Sequence, residues 1–177
     1  MKRSVVVSLV AMGAATLAAC EDKTIESAVY TSVDECVAAR AYSPEKCDAD
    51  YKAAVASHEK TAPAYKSLEH CEEEFGEGKC APATSHHASG GSVFLPFMMG
   101  YMMGGRSVGP DPASVSPQAL YRQPGKSGFL NANGVEIAKS SGHVRFSSRS
   151  SAARPPAAST TTLSRGGFGA RAVSVSA

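Results

Sequence analysis

The stretch Ser32-Val33-Asp34-Glu35-Cys36 indicates how this chain folds, because a related stretch, Ser67-Leu68-Glu69-His70-Cys71, occurs later in the sequence. Each copy has a serine that can cap a helix, an apolar residue, an acid and a cysteine. Each copy is also followed by a second cysteine, Cys47 after the first and Cys80 after the second. Whether the repeat is an ancient duplication or a convergent local pattern, it predicts short helices that carry cysteines.

Three helices are predicted between residues 31 and 80, where apolar residues recur at three- and four-residue steps. The expected boundaries are Thr31 or Ser32 for the first helix, Ser43 and Pro63 for the second, and Ser67 and Gly76 for the third. We therefore predict a small, mainly-α, disulfide-stapled domain of about three short helices.

The N-terminal segment 1–19 has the parts of an export signal: a charged start, an apolar run and small residues before a cut. It ends in Leu17-Ala18-Ala19-Cys20, which resembles the lipobox of bacterial lipoproteins, where the cysteine is acylated, for example with palmitate. Two acyl chains hold a protein stably at a membrane. We therefore expect Cys20 to be a lipid anchor and residues 20–30 to be a tether. Glu21, in place of Asp, favours the periplasmic leaflet of the outer membrane over the inner membrane.

Four further cysteines lie in the predicted domain, and an even number in a small exported domain indicates disulfides. The repeat favours one bridge within each copy, Cys36–Cys47 and Cys71–Cys80. A nested arrangement, with Cys36 bonded to Cys80, would instead join two antiparallel helices. Each local bridge would contribute about 2–3 kcal/mol in the chain-entropy model.

The alternative use of these cysteines is a metal site, with His58 or His70 as a further ligand, or a redox-active thiol pair. Structural zinc sites place about two to four residues between paired ligands, and catalytic dithiols place about two. Here ten and eight residues separate the cysteines of each copy. We therefore expect structural disulfides, no metal and no cofactor.

The net charge and the amino-acid composition of the chain change near residue 80. Residues 21–80 carry fourteen Asp or Glu and seven Lys or Arg, a net charge of −7, whereas residues 81–177 carry two and nine, a net charge of +7. Ser, Gly and Pro account for 38 of the last 97 residues, which exceeds the roughly 25–30% typical of low-complexity disorder. We expect a linker over 81–92 and a largely disordered tail over 106–177, with one possible hairpin around Asn133-Gly134.

An uncharged segment rich in Met and Gly, residues 93–105, lies between the linker and the tail. It is too short to span a bilayer as a helix, and methionine gives an adaptable apolar surface. Three roles are open: packing onto the cysteine domain, contact with a protein partner, or contact with a membrane surface. The residues expected to make a partner or membrane contact are Phe94, Phe97, Met98, Met99, Tyr101, Met102 and Met103.

Three stretches together resemble one family. They are Lys60-Thr61-Ala62-Pro63-Ala64-Tyr65 running on to Glu74-Phe75-Gly76-Glu77-Gly78-Lys79-Cys80, the methionine segment 96–104, and residues 160–169. This combination resembles the YgiB-like family of uncharacterised bacterial proteins, many of them predicted lipoproteins. The resemblance covers most of residues 17–104 and the short terminal motif. The resemblance implies a protein of the bacterial envelope. The family has no established activity, so the resemblance implies no catalytic residues.

The sequence contains no His-Glu-x-x-His and no phosphate-binding glycine loop. A single Arg-Gly-Gly in an exported chain is poor evidence for RNA binding, so no nucleic-acid partner is expected. We expect a noncatalytic envelope lipoprotein that is held at the membrane through Cys20. It would use its Met/Gly segment or its basic tail to contact another envelope protein. The alternative is a periplasmic thiol-redox or metal-handling protein that uses Cys36, Cys47, Cys71 and Cys80.

Overall fold

The computed structural model describes residues 22–84, 93–107 and 112–157. The three predicted helices are α1 (Val33–Ala39), α2 (Pro44–Thr61) and α3 (Leu68–Phe75). Each follows a serine whose side chain accepts a hydrogen bond from a backbone N–H of the first turn. The pairs are Ser32 with Glu35, Ser43 with Lys46 and Ser67 with His70. The predicted helix starts are therefore confirmed.

The mainly-α prediction is wrong, because ten strands accompany the helices in the described residues and the fold is mixed α/β. The strands of the main sheet are β1 (Thr24–Tyr30), β4 (Gly100–Met102), β5 (Gly105–Arg106), β6 (Ser114–Val115), β7 (Gln118–Leu120) and β10 (Gly142–Ser147). Two hairpins pair β2 (Cys80–Pro82) with β3 (Phe94–Pro96) and β8 (Phe129–Leu130) with β9 (Glu136–Ala138). A short 3-10 helix, Ser151–Ala153, follows β10.

β1 is the central strand of the main sheet, in the place where a tether was predicted. One edge of β1 pairs antiparallel with β10 from Thr24 to Val29, and the other edge pairs with β5 and then β4. β4 and β5 pair in turn with β7 and β6. Side chains alternate across a strand, so Ile25 and Val29 reach one core while Ala28 and Tyr30 reach another. This burial on both faces makes the segment a strand.

Three clusters of buried side chains cover the two faces of the main sheet and the outlying hairpin. α1 and α2 pack on the sheet face that carries Tyr30 and Tyr101. The β8–β9 hairpin and the 3-10 helix pack on the opposite face, against Met102 and Leu120. The third cluster joins α3 and the β2–β3 hairpin to Tyr121, which follows β7.

The prediction of a disordered tail is wrong for residues 112–157, which contain β6 to β10. Glycines that indicated disorder instead allow close packing. A Cβ atom on Gly105 would overlap the carbonyl oxygen of Glu26 in the neighbouring strand, and one on Gly100 would lie 2.9 Å from the Phe129 ring. The predicted linker is also shorter than expected, because β2 occupies its first residues.

The predicted hairpin around Asn133-Gly134 is confirmed by β8 and β9. Gly134 has a φ of 74°, a left-handed conformation that glycine adopts readily. Asn131 holds the turn, because its Oδ1 atom accepts hydrogen bonds from the backbone N–H groups of Asn133 at 3.0 Å and Val135 at 3.1 Å.

Several predicted features lie outside the described residues. They are the export signal, Cys20, the middle of the linker and residues 158–177. Within the residues that are described, no helix is both long and apolar enough to cross a bilayer.

Candidate functional site

The four cysteines form two disulfides, Cys36–Cys47 and Cys71–Cys80, with Cα atoms 5.9 Å and 6.2 Å apart. The pairing favoured by the repeat is confirmed, and the nested arrangement is wrong. Cys36, Cys47 and Cys71 are fully buried, and Cys80 is 9% exposed. Because the thiolate is the metal ligand and the nucleophile, buried disulfide sulfur favours a structural role over thiol-redox or metal handling. In the described ranges, no group of three His, Cys, Asp or Glu side chains is placed to hold a metal ion.

Cys36–Cys47 lies in a cluster of tyrosines between the helices and the main sheet. Cys36 Sγ is 3.8 Å from Met103 Sδ. The Tyr101 ring packs edge-on against Tyr51 with ring centres 5.4 Å apart, and it also lies 6.3 Å from the Tyr30 ring. Burial raises the pKa of Tyr101 to about 12, so its phenol stays neutral. This cluster is a packed core.

The structure divides the seven residues that were predicted to contact a partner or a membrane. Tyr101, Met102 and Met103 are fully buried, and Phe94, Met98 and Met99 are partly buried. Phe97 differs from all of them, because its side chain is 47% exposed. Most of the methionine segment therefore packs within the domain, and Phe97 is the residue that it presents to solvent.

Phe97 lies at a small surface depression that we call the Phe97 hollow. The hollow is lined by Phe75, Lys79, Phe97, Met99 and Arg122 and has a volume of about 50 Å³. The Phe97 N–H donates a hydrogen bond to the Lys79 carbonyl oxygen at 2.8 Å, which extends the β2–β3 hairpin. The Arg122 guanidinium lies 4.1 Å from the centre of the Phe129 ring. Among the described residues, neither Lys79 nor Arg122 has an ion-pair partner, so the hollow is apolar and cationic.

A larger cleft is also lined by Phe75, and we call it the α3 cleft. It is lined by Pro63, Glu74, Phe75, Tyr121, Gln123 and the turn 130–134, and its volume is about 200 Å³. Glu74 Oε1 accepts a hydrogen bond from Gln123 Nε2 at 2.7 Å, which positions the carboxylate in the wall of the cleft. The rings of Phe75 and Tyr121 meet edge to face with centres 5.9 Å apart and form an aromatic base.

Asn131 lines the α3 cleft and carries a buried hydrogen-bond donor. Its Oδ1 atom accepts hydrogen bonds from two N–H groups of the turn. The second polar atom of the side-chain amide is therefore the nitrogen Nδ2, which can only donate. Asn131 is 2% exposed, and Nδ2 has no hydrogen-bond partner in the part of the chain that is described. Buried polar atoms are almost always hydrogen-bonded, so this donor is an exception, and it is too deeply buried to contact a ligand in the cleft without a rearrangement.

Tyr121 connects the cleft to α2. Its hydroxyl oxygen is 3.0 Å from His58 Nδ1. Burial lowers the pKa of His58 and raises the pKa of Tyr121, so both groups are neutral near neutral pH. The pair is therefore a neutral hydrogen bond that fixes the phenol at the base of the cleft.

Sequence reasoning did not find the α3 cleft. Its residues come from the α2–α3 connection, α3, the segment after β7 and the β8–β9 turn. Only the Asn133-Gly134 turn and the Gly76 boundary pointed to this part of the molecule, and neither indicates a ligand. The groups that the cleft offers are a carboxylate, carboxamides and aromatic rings, which suit binding by hydrogen bonds and stacking.

The described part of the chain is a small α/β domain with two internal disulfides and two adjoining surface depressions. The chain matches the family described as "Protein of unknown function (DUF1190)" over residues 24–177. It therefore belongs to that family.

Individual relatives agree with this assignment. A UPF0441 protein from Erwinia tasmaniensis is 34% identical over 165 residues, which cover 86% of this chain and 74% of the relative. UPF0441 protein SG0265 from Sodalis glossinidius is 34% identical, and a UPF0441 protein from Serratia proteamaculans is 35% identical, with the same coverage. The YgiB-like resemblance read from the sequence is confirmed. No solved structure matches the chain.

Proposed function

We propose that this protein is a noncatalytic lipoprotein of the bacterial cell envelope that binds another envelope protein at the Phe97 hollow. The export signal and Cys20 support a lipid anchor, with the periplasmic leaflet of the outer membrane as its place. The two disulfides support an exported protein, because disulfides persist in oxidising compartments and are rare in the cytosol.

The observation that carries the proposed binding role is the exposure of Phe97. At 47%, it is the most exposed large apolar side chain among the described residues. Lys79 and Arg122 lie on the same hollow. Aromatic residues and arginine are enriched in protein interfaces. An exposed aromatic ring beside two cations fits a partner surface that is apolar and acidic.

The position of the hollow favours a protein partner over the membrane that would hold Cys20. Cys20 is four residues before Thr24, so a lipid anchor lies within about 14 Å of that end of β1. The hollow is near the opposite end, because Gly100, which follows Met99, approaches the carbonyl oxygen of Tyr30. The two ends of a seven-residue strand are about 20 Å apart. In the proposed arrangement the anchor and the hollow therefore lie at opposite ends of β1, which leaves the hollow accessible to a protein partner.

Photocrosslinking in intact cells tests this contact. A photoreactive phenylalanine analogue at position 97 is expected to form an adduct with a defined envelope protein. The same analogue at Val55, which is 37% exposed and outside the hollow, is the matched control and should form none. Lys79→Glu combined with Arg122→Glu should abolish the adduct at position 97. Equal adducts at both positions, or adducts with lipid alone, would contradict the proposal.

The anchor is tested separately with Cys20→Ser. This variant is expected to leave the membrane fraction, or to accumulate as an uncleaved precursor, because the acyl chains provide the strong membrane attachment. Fractionation and the mass of the mature N-terminus measure the two outcomes. A variant that is processed normally and remains bound to the membrane would show that Cys20 is not the anchor.

A further inference from the structure

Strand β10 lies at an open edge of the main sheet, since within the described residues it pairs with β1 alone. Residues along an antiparallel strand alternate between bonding to the neighbouring strand and pointing away from it. The Ser148 N–H donates to the Lys23 carbonyl oxygen at 2.8 Å, so the even-numbered residues of β10 bond to β1. The backbone N–H and C=O groups of His143 and Arg145 therefore point outward, and no hydrogen bond to them occurs in the described ranges.

This open edge has one apolar face and one polar face. Val144 and Phe146 pack against the cluster that contains Ile25, but both side chains are only partly buried. His143 and Arg145 lie on the opposite face of the strand, where both are exposed. An edge strand presents unpaired backbone groups to which a further strand can bond. The strand that fits this edge has apolar side chains at alternate positions and polar side chains between them.

A segment with this alternation occurs in the chain itself, outside the described residues. Residues 172–177 read Ala-Val-Ser-Val-Ser-Ala, the pattern of a half-buried strand. The described part of the chain stops at residue 157, and the fourteen residues 158–171 connect it to the segment.

The connection is long enough for the segment to reach the open edge. Fourteen residues span up to about 50 Å, whereas the six residues of β10 extend over about 20 Å. The chain also turns back beside β10, because Ala153 packs in the same cluster as Val144 and Phe146. Chain length and starting point therefore both allow residues 172–177 to lie along β10.

We propose that residues 172–177 add to the open edge of β10 as a further antiparallel strand of the same molecule. Antiparallel pairing is expected because every strand pair described in the main sheet is antiparallel. The two valines of the segment cover Val144 and Phe146. The two serines lie on the polar face, and their backbone groups bond to those of His143 and Arg145. The segment closes an edge that a strand from another protein could otherwise join, and the proposal rests on neither the lipid anchor nor the Phe97 hollow.

Amide hydrogen exchange, followed by NMR on the full chain in detergent micelles, tests this pairing. The N–H groups of His143 and Arg145 point away from β1, so they are protected only if another strand bonds to them. We expect both to exchange more slowly than in a chain truncated after residue 171, by about tenfold or more, as the partial burial of two valines allows. The Val144 N–H bonds to β1, and its unchanged protection establishes that the sheet is folded in each sample.

Two double variants test the alternation of the segment. Val173→Asp with Val175→Asp places two charges against the apolar face, so it should remove the protection of the two outward N–H groups. Ser174→Asp with Ser176→Asp makes the same change of charge on the polar face, so the protection should remain. Fast exchange of the outward N–H groups in the parent chain, or equal effects of the two double variants, would overturn the proposal. Protection that is lost on dilution at constant detergent would also overturn it, because the added strand would then come from a second copy.

Discussion

The two disulfides close loops of similar length in different surroundings. Cys36–Cys47 has a sequence separation of 11 and Cys71–Cys80 has one of 9. The first joins α1 to α2 among the tyrosines that pack on the main sheet. The second joins α3 to β2, next to the Phe97 hollow and the α3 cleft. We call these the sheet region and the α3 region.

The difference shows that one local sequence pattern can serve two purposes. Both disulfides are buried, but in the sheet region the disulfide lies among the tyrosines that pack on the main sheet. In the α3 region the disulfide holds α3 against the β2–β3 hairpin, so that Phe75 lines both the Phe97 hollow and the α3 cleft. We therefore expect changes in the sheet region to affect mainly stability and changes at the surface of the α3 region to affect mainly binding.

Tyr101→Ala is expected to have the largest effect on stability. Tyr101 is fully buried and packs against Tyr51, and removal of such a side chain lowers the free energy of unfolding by about 3–5 kcal/mol. Phe97→Ala is the control from the same segment, and its exposure limits the expected change to about 0.5 kcal/mol. Urea denaturation measures both values. Equal losses would place Phe97 in the core and remove the basis for the hollow.

Removing each disulfide compares the two regions directly. Each bridge contributes about 2–3 kcal/mol in the chain-entropy model. We expect Cys36→Ala with Cys47→Ala to cost slightly more than Cys71→Ala with Cys80→Ala, because the first loop is longer and Cys47 is fully buried whereas Cys80 is 9% exposed. Only the second pair should weaken the photoadduct at position 97, because it releases α3 from the β2–β3 hairpin beside the Phe97 hollow. Thermal unfolding and photocrosslinking report the two effects, and the reverse pattern would contradict the assignment of roles.

Two ion pairs on α2 have the same spacing but differ in burial. Lys46–Asp50 and Lys52–Asp48 both have N–O distances of 2.7 Å, while the Asp50 and Asp48 side chains are 13% and 48% exposed. Asp50 also accepts a hydrogen bond from the Gly104 N–H at 2.9 Å. Asp50→Ala should lower the free energy of unfolding by about 1–3 kcal/mol, because it leaves that N–H unpaired. Asp48→Ala should lower it by about 0–1 kcal/mol, and similar values in urea denaturation would show that the Gly104 contact adds nothing.

The smallest expected effect is the pH dependence from His58, which connects the sheet region to the α3 cleft through Tyr121. Burial lowers the pKa of His58 below its ordinary value of 6.5. The contribution of His58 to the free energy of unfolding is therefore fully present at pH values above the ordinary pKa. It declines as the pH falls through the folded pKa, because the unfolded chain binds the proton first. His58→Gln removes this titration, so its melting temperature should fall less than that of the parent between about pH 7 and pH 5. Parallel melting curves in the two proteins would show that His58 is not responsible.

Local interactions explain why the helix starts, the disulfide pairing and one hairpin could be predicted from the sequence by itself. Ser32, Ser43 and Ser67 each cap a helix by a hydrogen bond to a residue three positions later. The repeat paired each cysteine with a partner in the same copy, and the Asn133-Gly134 turn predicted β8 and β9. These features depend on chain geometry over about ten residues, so they can be read before any tertiary contact is known.

Long-range strand pairing decided the parts of the fold that could not be predicted from the sequence. β1 becomes a central strand only because β4, β5 and β10 come from the other half of the chain, which composition had indicated to be disordered. The few apolar residues of that half, such as Leu120 and Phe129, are buried because sheet pairing places them on one face. The α3 cleft and the contrast between buried Tyr101 and exposed Phe97 have the same origin. They depend on where β4 enters the sheet and where the β8–β9 turn meets α3, and neither is specified by a local pattern.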